Sequence, residues 1–164
     1  MFILKSIYHI NAYIKLVIFK FLYGSRLKVG RGTTWRKSFL VTIMERGNIV
    51  IGQNCFFNNY CSINSRSSIK IGDNTIFGEN VKIYDHNHRF NKKSAIKEQG
   101  YSIGEISIGS NCWIASNVTI LKGAIIEDNC VIGANVVVNG RVPEGTIMRI
   151  TEKSIYQFDD IHFS

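Results

Sequence analysis

The sequence predicts an all-β solenoid, a parallel β-helix of triangular coils. From residue 108 to residue 143 an aliphatic residue returns at every sixth position, and a small or β-branched residue follows four places later. A period of six fits neither an amphipathic helix nor a half-buried strand, which repeat every 3.6 and 2.0 residues. It fits coils of about eighteen residues, each with three short strands and three corners. The aliphatic series is Ile108, Ile114, Ile120, Ile126, Ile132 and Val138. The small series is Cys112, Val118, Ala124, Cys130, Val136 and Val142.

The same period, less regular, extends back to Val29. Segments 49–52, 69–72 and 106–109 each read aliphatic-x-Ile-Gly and mark the start of a coil. Asparagine recurs where the corners are expected, and it tolerates left-handed backbone better than most residues. We therefore expect about five coils. The expected coil starts are Val29, Ile51, Ile71, Ile108 and Ile126. The corner asparagines are Asn54, Asn74, Asn80, Asn111, Asn117, Asn129 and Asn135.

The chain has 164 residues, a single proline and no Gly- or Ser-rich linker, which predicts one domain with a substantial core. We divide it into an N-terminal helix at 1–24, a β-helix at 25–148 with an inserted loop at 85–105, and a tail at 149–164. All four cysteines occupy small-residue positions of the repeat. This pattern predicts buried, reduced thiols in a reducing compartment and no disulfide framework.

Positive charge is concentrated in the first quarter of the chain. Residues 1–44 contain eight Lys or Arg and no acidic residue, so the net charge of +8 lies there. Apolar residues at steps of three and four predict an amphipathic helix in this region. Lysines interrupt the apolar run, so we expect neither a membrane-spanning helix nor a signal peptide. The apolar stripe consists of Ile3, Ile7, Ile10, Ile14, Val17 and Phe21.

This helix has two interpretations, which are compatible with each other. It covers the open first coil, since the end of a solenoid needs a cap. Alternatively, residues 1–22 rest as a basic amphipathic surface on an anionic membrane. The charge does not accompany a recognised nucleic-acid-binding motif, so we expect no nucleic-acid partner.

The repeat stops after Ile83 and resumes at Ile108, and the polar insertion between them contains Asp85, His86 and His88. Long loops in a rigid scaffold commonly carry function. Three interpretations compete: a metal site with Asp85 as an additional ligand, a solvated polar loop, and a general base. We favour the general base, since imidazole changes charge near neutral pH. We expect no metal, because the other two histidines lie at the chain ends.

The segments that flank the insertion resemble those of the hexapeptide-repeat O-acetyltransferases, which fold as left-handed parallel β-helices. The resemblance covers about residues 29–147 and is strongest to bacterial sugar and capsular-polysaccharide acetyltransferases. The matching segments are Ile71-Gly72-Asp73-Asn74, Asn80-Val81-Lys82-Ile83-Tyr84 followed by His88, Ile108-Gly109-Ser110-Asn111-Cys112-Trp113-Ile114, Ser116-Asn117-Val118, and Val142-Pro143 followed by Gly145.

The resemblance implies a homotrimer with acetyl-CoA as co-substrate in the groove between neighbouring β-helices. It also implies a histidine that takes the proton of the acceptor hydroxyl, which then attacks the thioester directly. His88 matches that histidine, and His86 is the second choice. The implied acceptor-binding residues are Asn58, Asp85 and Tyr84, and the implied acetyl-CoA-binding residues are Trp113, Ser116, Ala134 and Asn139.

The chain departs from the family pattern at two places. Some sugar acetyltransferases carry an acidic pair where this sequence has Ser65-Arg66, so their acceptor contacts do not transfer. The usual Gly-x-Pro-Ala-like ending is also absent, and Arg141, Arg149 or Lys153 would then have to contact the coenzyme A phosphates.

The sequence therefore predicts a cytoplasmic, trimeric, acetyl-CoA-dependent O-acetyltransferase. We expect it to modify a sugar hydroxyl of a bacterial surface polysaccharide or its precursor, presented at the inner face of the membrane. One alternative is acyl transfer to another small acceptor, such as serine, a free sugar or a nucleotide-sugar amine. A zinc-dependent hydratase on this fold needs three histidine ligands, which the histidine placement does not supply. The second class of alternative is a non-catalytic β-helix scaffold.

Overall fold

The computed structural model of the protein describes residues 2–44 and 46–150, with side chains from residue 10 onward. Helix α1 (Phe2–Tyr23) and a 3-10 turn (Gly24–Arg26) precede a solenoid of parallel strands. The expected tail falls almost entirely on residues 151–164, which lie outside the described part of the chain. The predicted parallel β-helix and N-terminal helix are confirmed.

Each side of the solenoid is one parallel sheet. The first sheet contains β1 (Leu27–Val29), β4 (Asn48–Ile51), β7 (Ser68–Ile71), β12 (Ile106–Ile108), β15 (Ile125–Ile126) and β18 (Arg141–Val142). The second contains β2 (Thr34–Trp35), β5 (Phe56–Phe57), β8 (Ile76–Phe77), β13 (Trp113–Ile114), β16 (Val131–Ile132) and β19 (Ile147–Met148). The third contains β3 (Leu40–Ile43), β6 (Ser62–Ser65), β9 (Lys82–Tyr84), β14 (Thr119–Ile120) and β17 (Val137–Val138).

The solenoid continues one coil further than the sequence analysis expected. We predicted about five coils within residues 25–148, and inside those bounds β18 and β19 form two sides of a sixth coil. Val142 stacks on Ile126 and is buried, so it serves the core as the aliphatic residues of earlier coils do. The period of six does not extend here, because Val142 follows Val138 after only four residues and lies 16 residues after Ile126 instead of 18.

The strand register between coils places residues of similar type directly above one another. Ile69 pairs with Ile106, and Ile83 pairs with Ile120, so the six-residue period becomes columns of stacked aliphatic side chains. Those columns are buried. Near the N-terminal end the column is aromatic, and the rings of Phe57 and Phe77 stack with centroids 4.3 Å apart. Stacking of this kind removes apolar surface from water in every coil, which stabilises the solenoid.

The predicted corner asparagines adopt the left-handed backbone conformation. All seven have φ between 53° and 62°. Ser38 and Tyr60 take the same conformation in the first and second coils. The expectation that asparagine turns the chain at these corners is therefore confirmed.

The four cysteines are buried, as predicted, and each thiol lies against the next coil. The Sγ atoms donate to carbonyl oxygens at 3.1 Å, from Cys55 to Gly72, from Cys61 to Gly78, from Cys112 to Glu127 and from Cys130 to Pro143. Burial raises the pKa of Cys55 and Cys112, and it raises the pKa of Cys61 to about 11.

Helix α1 covers the first coil with a face different from the predicted stripe. Phe19 is buried, with its ring centroid 6.2 Å from that of Trp35, and Ala12 is buried beside it. The hydroxyl of Tyr23 donates to the carbonyl of Val41 at 3.0 Å. The described part of the predicted stripe, from residue 10 to residue 21, faces away from the solenoid and is exposed. Among the described helices, none is long and apolar enough to cross a membrane.

Candidate functional site

The predicted loop between β9 and β12 contains a two-stranded antiparallel arm. Strands β10 (His86–His88) and β11 (Tyr101–Ile103) pair directly, and the turn between them includes a 3-10 segment (Ile96–Glu98). The side-chain amide of Gln99 donates to the carbonyls of Lys92 and Ser94, both at 2.8 Å, which ties the turn together. The insertion is therefore an ordered projection from the third coil.

Asp85 anchors the base of this arm and is fully buried. Its carboxylate accepts hydrogen bonds from the Ser65 hydroxyl and from the backbone N–H groups of Arg66 and Ser67, each at 2.8 Å. These donors come from the corresponding corner of the preceding coil. Of the Ser65-Arg66 departure, the Ser65 hydroxyl is thus one of the donors that a buried carboxylate requires, and backbone N–H groups supply the others.

His86 is held by this carboxylate. Its Nδ1 lies 3.0 Å from Oδ1 of Asp85, and its side chain is 12% exposed. The carboxylate accepts hydrogen bonds, so the pairing assigns the proton to Nδ1 and leaves the lone pair of Nε2 free. A histidine oriented in this way can take a proton from a hydroxyl group.

His88 lies further out on the same face of β10 and is exposed. It stands directly opposite Tyr101 in the register of the arm, with ring centroids 4.6 Å apart. A groove of about 530 Å³ opens beside it, lined among others by Phe90, Lys92 and Lys122. The groove is open to solvent and has a cationic edge.

Tyr101 lies in the candidate site and was not predicted from the sequence. Its ring contacts His86 in a T-shaped arrangement at 5.4 Å as well as His88. The guanidinium of Arg66 lies 3.5 Å from the ring centroid. Only the register of β10 with β11 brings Tyr101 to these histidines, and the sequence contains no signal for that register.

The remaining candidates lie elsewhere on the solenoid. Trp113 is 52% exposed on the second sheet. Ser116 and Ala134 stack at the corner that follows this sheet, where the Asn135 N–H donates to the Ser116 carbonyl at 3.0 Å. Asn58 lies at the same corner two coils earlier than Ser116, and its Oδ1 accepts from the Arg36 guanidinium at 3.3 Å.

Within one chain these residues do not meet His86. Tyr84 ends a strand of the third sheet and Asp85 and His86 follow it, whereas Asn58, Ser116 and Ala134 precede this sheet. A side of about five residues rises about 3.3 Å per residue, so roughly 16 Å separates the two corners. Asn139 also follows the third sheet, but it lies two coils later in the solenoid than His86. Its side chain is exposed.

The residues considered for phosphate contacts are also separated. The guanidinium of Arg141 donates to the carboxylate of Glu127, where the Nε distance is 2.8 Å. The Glu144 N–H donates to the same carboxylate at 2.9 Å, and together with Arg141 it lowers the pKa of Glu127. Arg149 follows β19, and Lys153 lies outside the described residues.

The interpretation of the histidines as metal ligands gains no support from their surroundings. Among the described side chains, those of residues 10–44 and 46–150, no three His, Cys, Asp or Glu residues group in a way that could hold a metal ion. His9 and His162 lie outside the side chains that the structure describes.

Comparisons with known proteins agree with the fold and the period. Residues 105–140 match the family model described as bacterial transferase hexapeptide (six repeats). A protein of Escherichia coli strain K12, provisionally named a lipopolysaccharide biosynthesis O-acetyl transferase, is 36% identical over 63% of this chain and 57% of its own length. The chain thus spans little more than half of this relative.

Two solved structures are similar along most of the chain. A maltose O-acetyltransferase from Clostridium difficile 630 has a TM-score of 0.59 and 31% identity, and the match covers 71% of this chain and 63% of that one. A hexapeptide-repeat acetyltransferase from Vibrio cholerae O1 biovar eltor, complexed with acetyl coenzyme A, has a TM-score of 0.63 and 25% identity over 74% and 64% of the two chains. These matches confirm the resemblance that the sequence motifs indicated.

Proposed function

We propose that this hexapeptide-repeat protein is an acetyl-CoA-dependent O-acetyltransferase that modifies a sugar hydroxyl of a bacterial surface polysaccharide or its precursor. The family match, an acetyltransferase relative complexed with acetyl coenzyme A and a maltose O-acetyltransferase of similar structure support the reaction class. The relative named for lipopolysaccharide biosynthesis supports the choice of a surface glycan.

The observation that carries the proposal is the pairing of Asp85 with His86 where the arm leaves the solenoid. The family resemblance made His88 the first choice for the general base and His86 the second. We reverse that order, because the buried carboxylate of Asp85 orients His86 through a 3.0 Å contact, whereas His88 lies on the exposed outer part of the arm. Asp85, considered above as an acceptor-binding residue, becomes a positioning residue, since protein donors surround its carboxylate.

The proposed reaction needs one base and proceeds without a covalent enzyme intermediate. Nε2 of His86 takes the proton of the sugar hydroxyl while the oxygen bonds to the thioester carbonyl carbon. The C–S bond then breaks, and the same proton leaves on the coenzyme A sulfur, which gives the acetylated sugar and free coenzyme A. A positioned base contributes roughly 10²–10⁴ in rate, and holding the two reactants together contributes further through proximity.

A homotrimer would complete the site. Trp113, Ser116 and Ala134 are separated from His86 by the third sheet of the same chain, so we assign them to the acetyl-CoA groove formed with a neighbouring subunit. Trp113 and Ala134 are exposed and available for such a contact. Asn139 follows the third sheet, as His86 does, so we assign it to the wall of the proposed groove that carries His86.

The acceptor side of the proposed site uses the base of the arm. Tyr84 ends β9 immediately before Asp85, and the groove beside His88 has room for saccharide units. Asn58 would reach the acceptor from the neighbouring subunit, because it lies at the other corner of its own third sheet. We place the reaction in the cytoplasm, where acetyl-CoA is supplied, at the inner membrane face, with residues 1–22 providing the membrane contact.

The test compares surface glycans of cells that lack the gene and are complemented with variants. We expect His86→Asn to lower O-acetyl content, measured by mass spectrometry, at least 100-fold, and His88→Asn to retain most of it. Full O-acetylation by His86→Asn at equal protein level would refute the assigned base. Calorimetry with acetyl-CoA and light scattering for a trimer are independent readouts. Absence of acetyl-CoA binding would favour the non-catalytic scaffold.

A further inference from the structure

Helix α1 has two opposed apolar faces. The inner face, with Ala12 and Phe19 at its centre, packs on the first coil. The opposite face carries large apolar side chains, which we call the outer stripe: Ile10, Ile14, Val17 and Phe21. Their exposed fractions are 59%, 52%, 52% and 89%, and Tyr13, Ile18 and Leu22 beside them are also exposed. The inner face already caps the solenoid, so capping does not account for the outer stripe.

The surroundings of the outer stripe are cationic. Lys20 on α1 and Lys28, Arg31 and Lys37 on the first coil are exposed. Residues 1–44 contain no acidic residue. An amphipathic helix with apolar side chains between cationic flanks has the chemistry that binds an anionic bilayer surface. A second copy on the same face would bring two cationic surfaces together, which is unfavourable.

A groove between α1 and the first coil adds a place for a lipid headgroup. It has a volume of about 420 Å³, apolar walls that include Ala12, Ile18 and Trp35, and Arg36 and Lys37 at its edge. From the exposed outer stripe, its cationic surroundings and this groove, we propose that the outer stripe lies in the interface of an anionic phospholipid membrane, with headgroup phosphates at the Arg36–Lys37 edge. The partner that binds the outer stripe is therefore the lipid bilayer.

This docking sets the distance between the membrane and the proposed base. His86 leaves the third coil, two strand spacings of about 4.8 Å from the coil that α1 covers, and α1 itself is about 10 Å thick. His86 therefore stands about 20 Å from the membrane plane. The acceptor is then a lipid-linked saccharide whose modified sugar projects from the bilayer, an identification that rests on the proposed function.

The proposed trimer would strengthen the attachment. If the three solenoid axes are parallel, the three outer stripes lie at the same end and contact one plane together. Linked contacts of this kind raise the overall affinity without any new contact in a single subunit.

The experiment is co-sedimentation of the full chain with vesicles of phosphatidylcholine alone or mixed with phosphatidylglycerol. We expect strong, salt-sensitive binding to the mixed vesicles. The double variant Val17→Gln/Phe21→Gln should bind them at least tenfold less, and Gln preserves helix propensity. The matched control is Ile147→Gln, which alters an equally exposed apolar residue at the opposite end of the solenoid and should bind like wild type.

Equal binding by the double variant and wild type would overturn the proposal. So would loss of self-association in the double variant, measured by light scattering without vesicles, because the stripe would then contact a second copy. Lys37→Gln should reduce binding to mixed vesicles only, and added inorganic phosphate should not compete if the ligand is the bilayer. Calorimetry with acetyl-CoA separates the two proposals, because vesicle binding needs no acetyl transfer.

Discussion

Nδ1 of His86 lies 3.0 Å from Oδ1 of Asp85, and the same carboxylate receives three hydrogen bonds from residues 65–67 of the preceding coil. The donors fix the carboxylate before any substrate binds. Because the carboxylate in turn fixes the imidazole, the stacking of two coils orients the proposed base. A solenoid can thus hold a loop histidine with the rigidity of its core.

Replacing Asp85 with Asn tests this relationship. The amide has one acceptor oxygen instead of two, so it leaves part of the donor set unmatched, and its NH₂ group favours the wrong tautomer of His86. We expect O-acetylation to fall about 10²–10⁴-fold and the melting temperature to fall as well. The control is Asp73→Asn, a corner carboxylate in the same coil as Asp85 that accepts the N–H of Gln53 in the preceding coil at 2.7 Å. A similar loss of O-acetylation in both variants would contradict a role specific to His86.

Tyr101 provides a second test of how the imidazole is positioned. Its ring contacts His86 and stacks against the guanidinium of Arg66. We therefore expect the ring, more than the hydroxyl, to affect the position of the His86 imidazole. Steady-state kinetics should show that Tyr101→Phe keeps kcat, while Tyr101→Ala lowers kcat about tenfold with an unchanged KM for acetyl-CoA. An unchanged kcat in the alanine variant would remove Tyr101 from the site.

Asn111 tests the left-handed corners. Its φ is 56°, a conformation that costs roughly 1–2 kcal/mol for ordinary L-residues and more for β-branched ones. Urea unfolding should therefore show a loss of at least about 1–2 kcal/mol for Asn111→Val and little change for Asn111→Gly. The control Gln53→Val alters an exposed corner residue outside the positive-φ set. Equal effects of the two valine substitutions would mean that backbone conformation is not the cause.

The pKa of Cys61 predicts a loss of stability at high pH. Burial raises this pKa from 9.0 to about 11, so folding favours the neutral thiol. Its contribution to the free energy of unfolding is complete below pH 9 and is lost as the pH rises toward 11. Urea titrations at pH 8 and pH 10.5 should show a larger decrease for wild type than for Cys61→Ala. Equal decreases would contradict the assignment.

Much of the fold can be predicted from the sequence because it is local and repeated. Each coil stacks on a copy of itself, so a period of six specifies both the buried columns and the corners. The seven asparagines predicted at corners all have positive φ, and the four cysteines predicted to be buried are buried. The break in the period also indicated where Asp85, His86 and His88 leave the solenoid.

The arrangement of the site depended on contacts between segments far apart in sequence. His86 and His88 share a face of β10, and only the position of Asp85 under the donors of residues 65–67 distinguishes them. Tyr101 reaches both histidines through an antiparallel register that no local pattern encodes.

The N-terminal helix also has features that the sequence predicts and features that only tertiary packing decides. Its period of three and four residues determined that α1 forms and that one stripe is apolar. Which face packs on the first coil was decided by the fit of Phe19 against Trp35 and Phe39, because packing depends on the shape of both surfaces. The amino-acid sequence by itself determined the repeat and its interruption. Only the tertiary structure decided which histidine is oriented and which apolar face stays exposed, because both depend on surfaces that distant segments form together.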